Sequence, residues 1–152
     1  MKKLVVIVLS VLIAGVTNAQ IQNEKGLYID SEGNLFNGVV QKTENNIKTD
    51  FNVKDGIING EVTYYYASGN KMETGTFTNG VKDLKWTRFN ENGTLSAIAF
   101  YKAGKKDGTW LVYDEAGNKR FEMNYNNGNK TGVWMSWDEA GAVASTKNYN
   151  AN

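Results

Sequence analysis

The chain contains no cysteine, no histidine and no proline among its 152 residues. Without cysteine the fold needs no disulfides, and sites for zinc, copper or haem that depend on cysteine or histidine are excluded. Without histidine, Ser-His-Asp and Cys-His nucleophile pairs are excluded as well. Without proline, no strand loses a backbone donor. No constellation supplies a nucleophile, a base and an oxyanion site together, so the sequence predicts a protein that is not an enzyme and holds no cofactor or metal.

Residues 1–19 have the pattern of a secretory signal peptide. Lys2 and Lys3 form a basic start, residues 4–16 are almost unbroken apolar sequence, and small residues precede a cut after Ala19. The apolar run is too short for a membrane span, and no other run of the sequence approaches the required length. We therefore expect an exported protein, in the periplasm, on the outer surface or in the medium, with no transmembrane segment in the mature chain.

The mature chain, 20–152, is expected to be nearly neutral. Removal of the signal peptide takes away two of the 17 basic side chains and none of the 16 acidic ones, so the acids outnumber the bases by one. The length of the mature chain suits one domain, and this charge gives no attraction for nucleic acid or an anionic membrane. Residues 20–25 are predicted to be a loose tail, and 26–152 a repeat domain.

A pattern with a fixed period fills the second half of the chain. Its clear units are 60–83, 84–107, 108–131 and 132–152. A fixed period of this length indicates a repeat architecture, in which each unit packs mainly on its neighbours. Leu84 stands where the other units begin with glycine, so we expect a different turn in that unit. The remaining columns are Val62, Trp86, Trp110 and Trp134; Tyr65, Phe89, Tyr113 and Trp137; Phe77, Tyr101, Tyr125 and Tyr149; and Lys82, Lys106 and Lys130.

The glycines predict a series of hairpins. A shorter and a longer spacing alternate between them, with runs rich in Thr, Tyr, Trp, Phe and Val in the intervals. The glycines of this series are Gly69, Gly80, Gly93, Gly104, Gly117, Gly128 and Gly141. The Asn-Gly pairs at 79–80 and 127–128 are signals for two-residue hairpins, and 114–117 fits a type I turn followed by a left-handed glycine. The predicted fold class is all-β, a single-layer antiparallel run of β-hairpins.

Alternation along the strands beside the 114–117 turn predicts which side chains share a face. With Leu111 opposite Phe121, those two residues and Tyr125 would share an apolar face. Trp110 would then lie on the opposite, more polar face. The sequence thus predicts a tryptophan stripe that is separate from the tyrosine column.

Three segments carry a resemblance to a known repeat family: DGTWLVY at 107–113, NK at 118–119 and YNNG at 125–128. They resemble the MORN repeat variant, a family that includes many bacterial proteins described as YwqK-like antitoxins. The resemblance covers the chain from Asn59 to the C-terminus well and residues 26–56 poorly. It implies a single layer of hairpins that serves as a scaffold or interaction surface, since MORN repeats are associated with membranes or protein assembly.

The candidate binding residues are the tryptophan and lysine columns: Trp86, Trp110, Trp134, Lys82, Lys106 and Lys130. Equivalent residues two strands apart lie about 10 Å apart, a spacing that suits a linear glycan. A packing ladder is the preferred interpretation, because tryptophan contributes mainly through buried area. The lysine column would form a basic edge for an anionic glycan or lipid headgroup, although a solvated turn face that keeps sheets from stacking explains it better.

Two acidic pairs, Asp114-Glu115 and Asp138-Glu139, also recur at the period of the repeat. Carboxylates about 10 Å apart would lie near the upper end of the range for inverting glycosidases. Both pairs fall on hairpin tips, where turn chemistry explains the aspartates and water keeps the carboxylates ionised. A weak calcium site from the same oxygens would lack a closed ligand loop.

Three function classes remain open. The preferred one is a non-enzymatic exported scaffold that mediates protein or envelope interactions. The others are a carbohydrate- or peptidoglycan-binding module that uses the tryptophans, and an antitoxin-like or immunity-like partner of a toxin. The partner is therefore expected to be an unknown protein or a cell-envelope glycan, and exposure of the tryptophans separates these two.

We predict cleavage between Ala19 and Gln20, because the basic start, the apolar run and the small residues together form a signal-peptidase site. Intact mass of the protein recovered from the periplasm or the medium checks this. A recovered species that begins at Met1 would contradict it.

Overall fold

The computed structural model describes residues 21–150, and in this range the chain forms thirteen β-strands. They are β1 (Ile21–Gln22), β2 (Tyr28–Ile29), β3 (Gly38–Glu44), β4 (Ile47–Lys54), β5 (Ile57–Tyr65), β6 (Lys71–Thr78), β7 (Val81–Phe89), β8 (Leu95–Lys102), β9 (Lys105–Lys106), β10 (Gly108–Tyr113), β11 (Lys119–Asn126), β12 (Asn129–Trp137) and β13 (Val143–Asn148). Over these same residues, no helix has the length and apolar character needed to span a membrane.

Strands β3 to β13 form one antiparallel sheet whose order in space follows the order in sequence. The short β9 and the following β10 both pair with β8, so together they occupy one strand position. Every other pair joins consecutive strands, as short hairpin connections require. The predicted all-β meander of hairpins is confirmed.

From β4 onward, turns of two kinds alternate at opposite ends of the sheet. At the two-residue end, residues 79–80 have φ angles of 49° and 81°, and residues 127–128 have φ angles of 49° and 88°. Positive φ at both positions makes these type I′ turns, as the Asn-Gly pairs predict. At the five-residue end, the Asp114 N–H donates to the Asn118 carbonyl and the Gly117 N–H donates to the Asp114 carbonyl, both at 3.0 Å. This is the predicted type I turn.

The two-residue turns at 79–80, 103–104 and 127–128 are each bonded to the hairpin that precedes them. The Gly128 N–H donates to the Lys106 carbonyl at 2.8 Å, and the Asn127 N–H donates to the Asp107 carboxylate at 2.9 Å. The first of these bonds recurs in earlier units, from Gly104 to Lys82 and from Gly80 to Ile58. Successive repeats are therefore joined at this end by bonds beyond the sheet pairing itself.

A bulge of two extra residues interrupts the hairpins that turn at the two-residue end. Between the pairs Thr74–Thr87 and Thr76–Asp83, β6 advances by two residues while β7 advances by four. The extra residues include Leu84, whose φ is 58°. The equivalent positions have φ angles of 111° at Gly60, 95° at Gly108 and 61° at Gly132. The expectation of a different turn in the Leu84 unit is wrong, because leucine there adopts the same left-handed backbone.

A second, one-residue bulge follows the five-residue turns and changes the pairing there. Tyr113 lies opposite Lys119, but Val112 lies opposite Phe121, which leaves Arg120 as the extra residue. Equivalent shifts occur between residues 64 and 65, 88 and 89, and 136 and 137. One inserted residue exchanges the two faces of everything beyond it.

The one-residue bulge overturns the predicted face assignment. Leu111 lies opposite Glu122 rather than Phe121, and Trp110 lies opposite Met123. Trp110 and Tyr125 share one face, with ring centroids 5.5 Å apart. We call this side of the sheet the ladder face and the other side the back face.

The N-terminal part of the described chain belongs to the fold. The sequence predicts a loose tail at 20–25, whereas Ile21 in β1 pairs with Ile29 in β2. The predicted signal peptide at 1–19 lies outside the described residues. Within the predicted tail, Ile21–Gln22 form the first strand of a small hairpin, and residues 23–25 belong to the turn that follows it.

That N-terminal segment covers the ladder face at one end of the sheet. The Tyr28 ring packs on Phe51, with centroids 5.3 Å apart. The Tyr28 N–H donates to the Gly56 carbonyl at 2.8 Å, and the Gly56 N–H donates to the Phe36 carbonyl at 2.9 Å. Among residues 21–150, the buried apolar side chains all lie near this cover: Tyr28, Val40, Phe51, Val53, Val62 and Trp86. The sheet is thus a single layer with a local second layer over its first strands.

We expect Leu84→Gly to raise the free energy of unfolding by about 0.5–1 kcal/mol, because relief of left-handed strain exceeds the backbone entropy that glycine loses. Leu84 is 60% exposed, so little packing is lost. The matched control is Gly132→Ala, where a Cβ would meet Asn124 Cβ at an ordinary 3.5 Å and the strain should lower stability by about 1 kcal/mol. Denaturant titration measures both, and a destabilised Leu84→Gly would contradict the expectation.

Candidate functional site

Seven aromatic rings form a continuous ladder across the ladder face. In each hairpin that closes with a two-residue turn, the tryptophan comes from the second strand and the other ring from the first; Tyr149 follows directly after β13. Centroids of neighbouring rings lie 4.8–6.1 Å apart, in edge-to-face or tilted arrangements. Such pairs contribute about 0.5–1.5 kcal/mol beyond the area they bury. The order along the sheet is Phe77, Trp86, Tyr101, Trp110, Tyr125, Trp134 and Tyr149.

Each ladder tryptophan is tied to the strand on the other side of the two-residue bulge. The Trp110 Nε1–H donates to the Phe100 carbonyl at 3.0 Å, and the Trp134 Nε1–H donates to the Asn124 carbonyl at 2.9 Å. The acceptors for Trp86 are the carbonyls of Thr76 at 3.2 Å and Asp83 at 3.1 Å. Because regular strand pairing is interrupted here, the indole supplies a bond between the strands where the backbone ladder does not.

Trp86 is more deeply buried than the two later ladder tryptophans. Trp86 is 1% exposed, and its ring lies directly on Gly75, where a Cβ would overlap the indole. Trp110 and Trp134 are half-buried. The packing interpretation therefore explains Trp86 fully, while the two later rings also present surface to solvent.

The lysine column, which the sequence places on a separate rim, lies over the tryptophan rings instead. The ammonium of Lys82 is 3.6 Å from the centroid of Trp86, and that of Lys106 is 4.1 Å from the centroid of Trp110. The Lys130 ammonium is 4.6 Å from the Trp134 centroid. Each also lies within 5.3 Å of the next tyrosine ring. These cation–π contacts join the two predicted columns into one surface, which we call the lysine-capped ladder.

The lysines differ in their acidic neighbours. Lys82 forms a salt bridge with Glu73 at 3.3 Å. For Lys106 and Lys130, no carboxylate of residues 21–150 forms a salt bridge with the ammonium. The C-terminal part of the lysine-capped ladder thus carries positive charge that the described chain does not neutralise by direct ion pairs.

The aspartates of the two acidic pairs stabilise the five-residue turns. The Asp114 carboxylate accepts the Asn118 N–H at 2.9 Å and lies 3.6 Å from Arg120 Nε. The backbone hydrogen bond from Asn118 holds the pKa of Asp114 below its ordinary value. Asp138 likewise accepts the N–H of Ala142 at 2.9 Å. Among residues 21–150, no three acidic side chains gather in a way that could hold a metal ion.

Sequence reasoning missed a cleft on the ladder face beside the N-terminal segment. Its volume is about 390 Å³, and its lining includes Tyr28, Phe51 and Tyr64 together with Glu44 and Glu73. Burial, with a smaller contribution from Glu44, raises the pKa of Tyr28. Burial, with a smaller contribution from Glu73, raises the pKa of Tyr64. No repeat or motif joins these residues in the sequence, because the N-terminal segment creates the cleft by folding back over the sheet.

Comparison with known families agrees with the geometry. The family model of the MORN repeat variant matches residues 58–79, 82–103 and 106–127, which are three consecutive hairpin units. The chain matches no curated protein. The predicted unit at 132–152 lies outside the match, although β12 and β13 continue the same sheet. Tandem repeats of this kind indicate a scaffold for binding a protein or a membrane.

We predict that truncation of the ladder tryptophans costs less stability toward the C-terminus. Trp86→Ala and Trp110→Ala should each cost about 3–5 kcal/mol, the range for removing a packed aromatic ring. Trp134→Ala should cost less, because the last repeat unit has a neighbouring repeat on one side only. Equilibrium unfolding measures the series. Equal and small losses at Trp110 and Trp134 would show that both rings are exposed and would favour a glycan platform.

Proposed function

We propose that this MORN-repeat variant protein is an exported, non-enzymatic scaffold that binds a protein partner along its lysine-capped ladder. The observation that carries the proposal is the continuous row of rings from Phe77 to Tyr149, of which only Trp86 is fully buried. Contiguous apolar surface of this kind is characteristic of interaction sites. The partner would supply the layer that the N-terminal segment supplies over the first strands.

The lysines favour a protein partner over a glycan. A sugar ring that stacks on tryptophan needs an open ring face, whereas the ammonium of Lys106 lies 4.1 Å from the Trp110 centroid. The ammonium of Lys82 lies closer still to the buried Trp86. A sugar would first have to displace these cations, which costs the cation–π energy of about 0.5–1 kcal/mol per exposed site. Glycan binding through the tryptophans remains the second proposal.

The charge of the ladder indicates the chemistry of the partner surface. Lys106 and Lys130 occupy the same position in successive repeats, so they follow the regular spacing of alternate strands. An extended partner segment with acidic side chains at matching intervals would pair with both ammonium groups. Its apolar side chains would cover the exposed parts of Trp110 and Trp134. Acidic charge at the rim of such an interface chiefly accelerates association and sets the register.

Export and immunity are parts of the same proposal that rest on the sequence alone. The signal-peptide pattern of residues 1–19 supports a partner in the cell envelope or the medium. The resemblance to YwqK-like antitoxins supports a toxin as one such partner. A captured protein with toxin activity that this chain neutralises would establish that narrower role.

Cross-linking in the native envelope, followed by mass spectrometry, tests the proposal. Lys106→Ala with Lys130→Ala should reduce the yield of the partner, while Lys71→Ala with Lys85→Ala is the matched control. Both control residues are exposed and pair with residues of the back face. Cross-links should map to the ladder face of the wild type. Equal loss with both double variants, or cross-links confined to the back face, would contradict the proposal.

We predict that the mature protein hydrolyses no glycan, peptide or ester. Glycan hydrolysis needs one carboxyl that stays protonated near neutral pH, whereas hydrogen bonds hold the pKa of Asp114 below its ordinary value. A broad hydrolase screen compares the wild type with the Glu115→Gln, Glu139→Gln double variant. Turnover that the double variant loses would make the acidic tips a catalytic edge and refute the proposal of a non-enzymatic scaffold.

A further inference from the structure

The cleft beside the N-terminal segment has an apolar floor and aromatic walls. Phe51 and Val62, which are each 2% exposed, form part of its lining. Tyr28 and Tyr64 also line it, and the Tyr28 ring packs against Phe51 with centroids 5.3 Å apart. A volume of about 390 Å³ falls within the range of roughly 300–1,000 Å³ that is usual for small-molecule sites. The cleft is thus large enough for a small organic molecule.

Two carboxylates among the lining residues have bonding capacity left over. Glu44 uses its Oε2 in a bridge to Lys42 at 3.4 Å, and Glu73 uses its Oε1 in a bridge to Lys82 at 3.3 Å. Within residues 21–150, the second oxygen of each carboxylate accepts no hydrogen bond. The cleft therefore offers two carboxylate oxygens that an added donor can reach without breaking either bridge.

The free carboxylate oxygens and the tyrosine rings of the cleft favour a cation. The charged side chains of its lining are Glu44, Glu73 and Lys42, and each carboxylate is paired with one lysine through one oxygen only. The pKa values of Tyr28 and Tyr64 are raised by burial and by these carboxylates, so further negative charge is disfavoured there. The faces of the aromatic rings add attraction for a positive group.

We propose that this cleft binds a small organic cation, a protonated amine carried on an apolar or aromatic body. The apolar or aromatic group of this ligand packs on Phe51 and Val62, against the two tyrosine rings. The ammonium donates to the unused oxygen of Glu73, and the Glu44 carboxylate, three strands away on β3, adds attraction from the other side of the cleft. This site adjoins the first lysine of the lysine-capped ladder through the Lys82–Glu73 salt bridge, but it lies away from Lys106 and Lys130, the lysines that form no salt bridge among residues 21–150.

Calorimetric titration of the mature protein with 2-phenylethylamine tests the proposal. The neutral 2-phenylethanol and the anionic 3-phenylpropionate have the same ring and serve as matched ligands. We expect one saturable site for the amine, with affinity at least about tenfold above that for the alcohol, a difference of ~1.4 kcal/mol. Carbon-detected NMR of the tyrosine rings should show shifts at Tyr28 and Tyr64.

Two variants locate the bound amine. Glu44→Gln and Glu73→Gln should each weaken amine binding at least about threefold and leave the alcohol unchanged, because a charge-assisted hydrogen bond is roughly twice as strong as a neutral one. Glu44 is exposed, so its substitution should not affect folding. Glu91→Gln, in a five-residue turn, is the control and should bind as the wild type does. Equal affinity for amine and alcohol, or wild-type affinity in both Glu44→Gln and Glu73→Gln, would overturn the proposal.

Discussion

The hydrogen bond from the tryptophan indole to a carbonyl across the two-residue bulge is the interaction on which the ladder depends. At the bulge, the second strand of the hairpin contains a residue with a left-handed backbone, such as Gly132 with φ of 61°. The indole of Trp134 then reaches back to the Asn124 carbonyl, while the Asn124 side-chain amide donates to the Val133 carbonyl at 2.8 Å. Because the ring is held in this orientation, the neighbouring tyrosine packs against it and the lysine lies over its face in a fixed geometry. The spacing of the whole surface therefore follows from one local geometry that recurs in each repeat.

The same constraint explains why the two ends of the sheet differ. In the first unit Val62 replaces tryptophan, and no indole is available to bond across the bulge. There the Asn52 amide donates to the Glu61 carbonyl at 3.2 Å, and the N-terminal segment covers the ladder face. The later units keep their tryptophans and remain without such a cover in the described residues. A single sheet buries little apolar surface by itself, so the uncovered part is where a partner would add most stability.

The sequence predicts the hairpins well because turn chemistry is local. Asn79 and Gly80 reveal a type I′ turn by residue type alone, since few other residues adopt positive φ readily. The faces could not be predicted, because the extra residue Arg120 carries no signal of its own and a one-residue shift reverses every assignment beyond it. The lysine contacts were missed because a long flexible stem carries the charge of Lys106 from the turn onto the ring. The cleft could not be predicted at all, since Tyr28 reaches it through a fold-back that no periodicity encodes.

Hydrogen exchange of the four indole N–H groups, followed by NMR, tests the central interaction most directly. Trp86, Trp110 and Trp134 donate to backbone carbonyls. The indole of Trp137, on the back face, has no hydrogen-bond acceptor among residues 21–150, so the chain has its own internal control. We expect slow exchange for the three ladder indoles and fast exchange for Trp137. Equally fast exchange at all four indoles would contradict it.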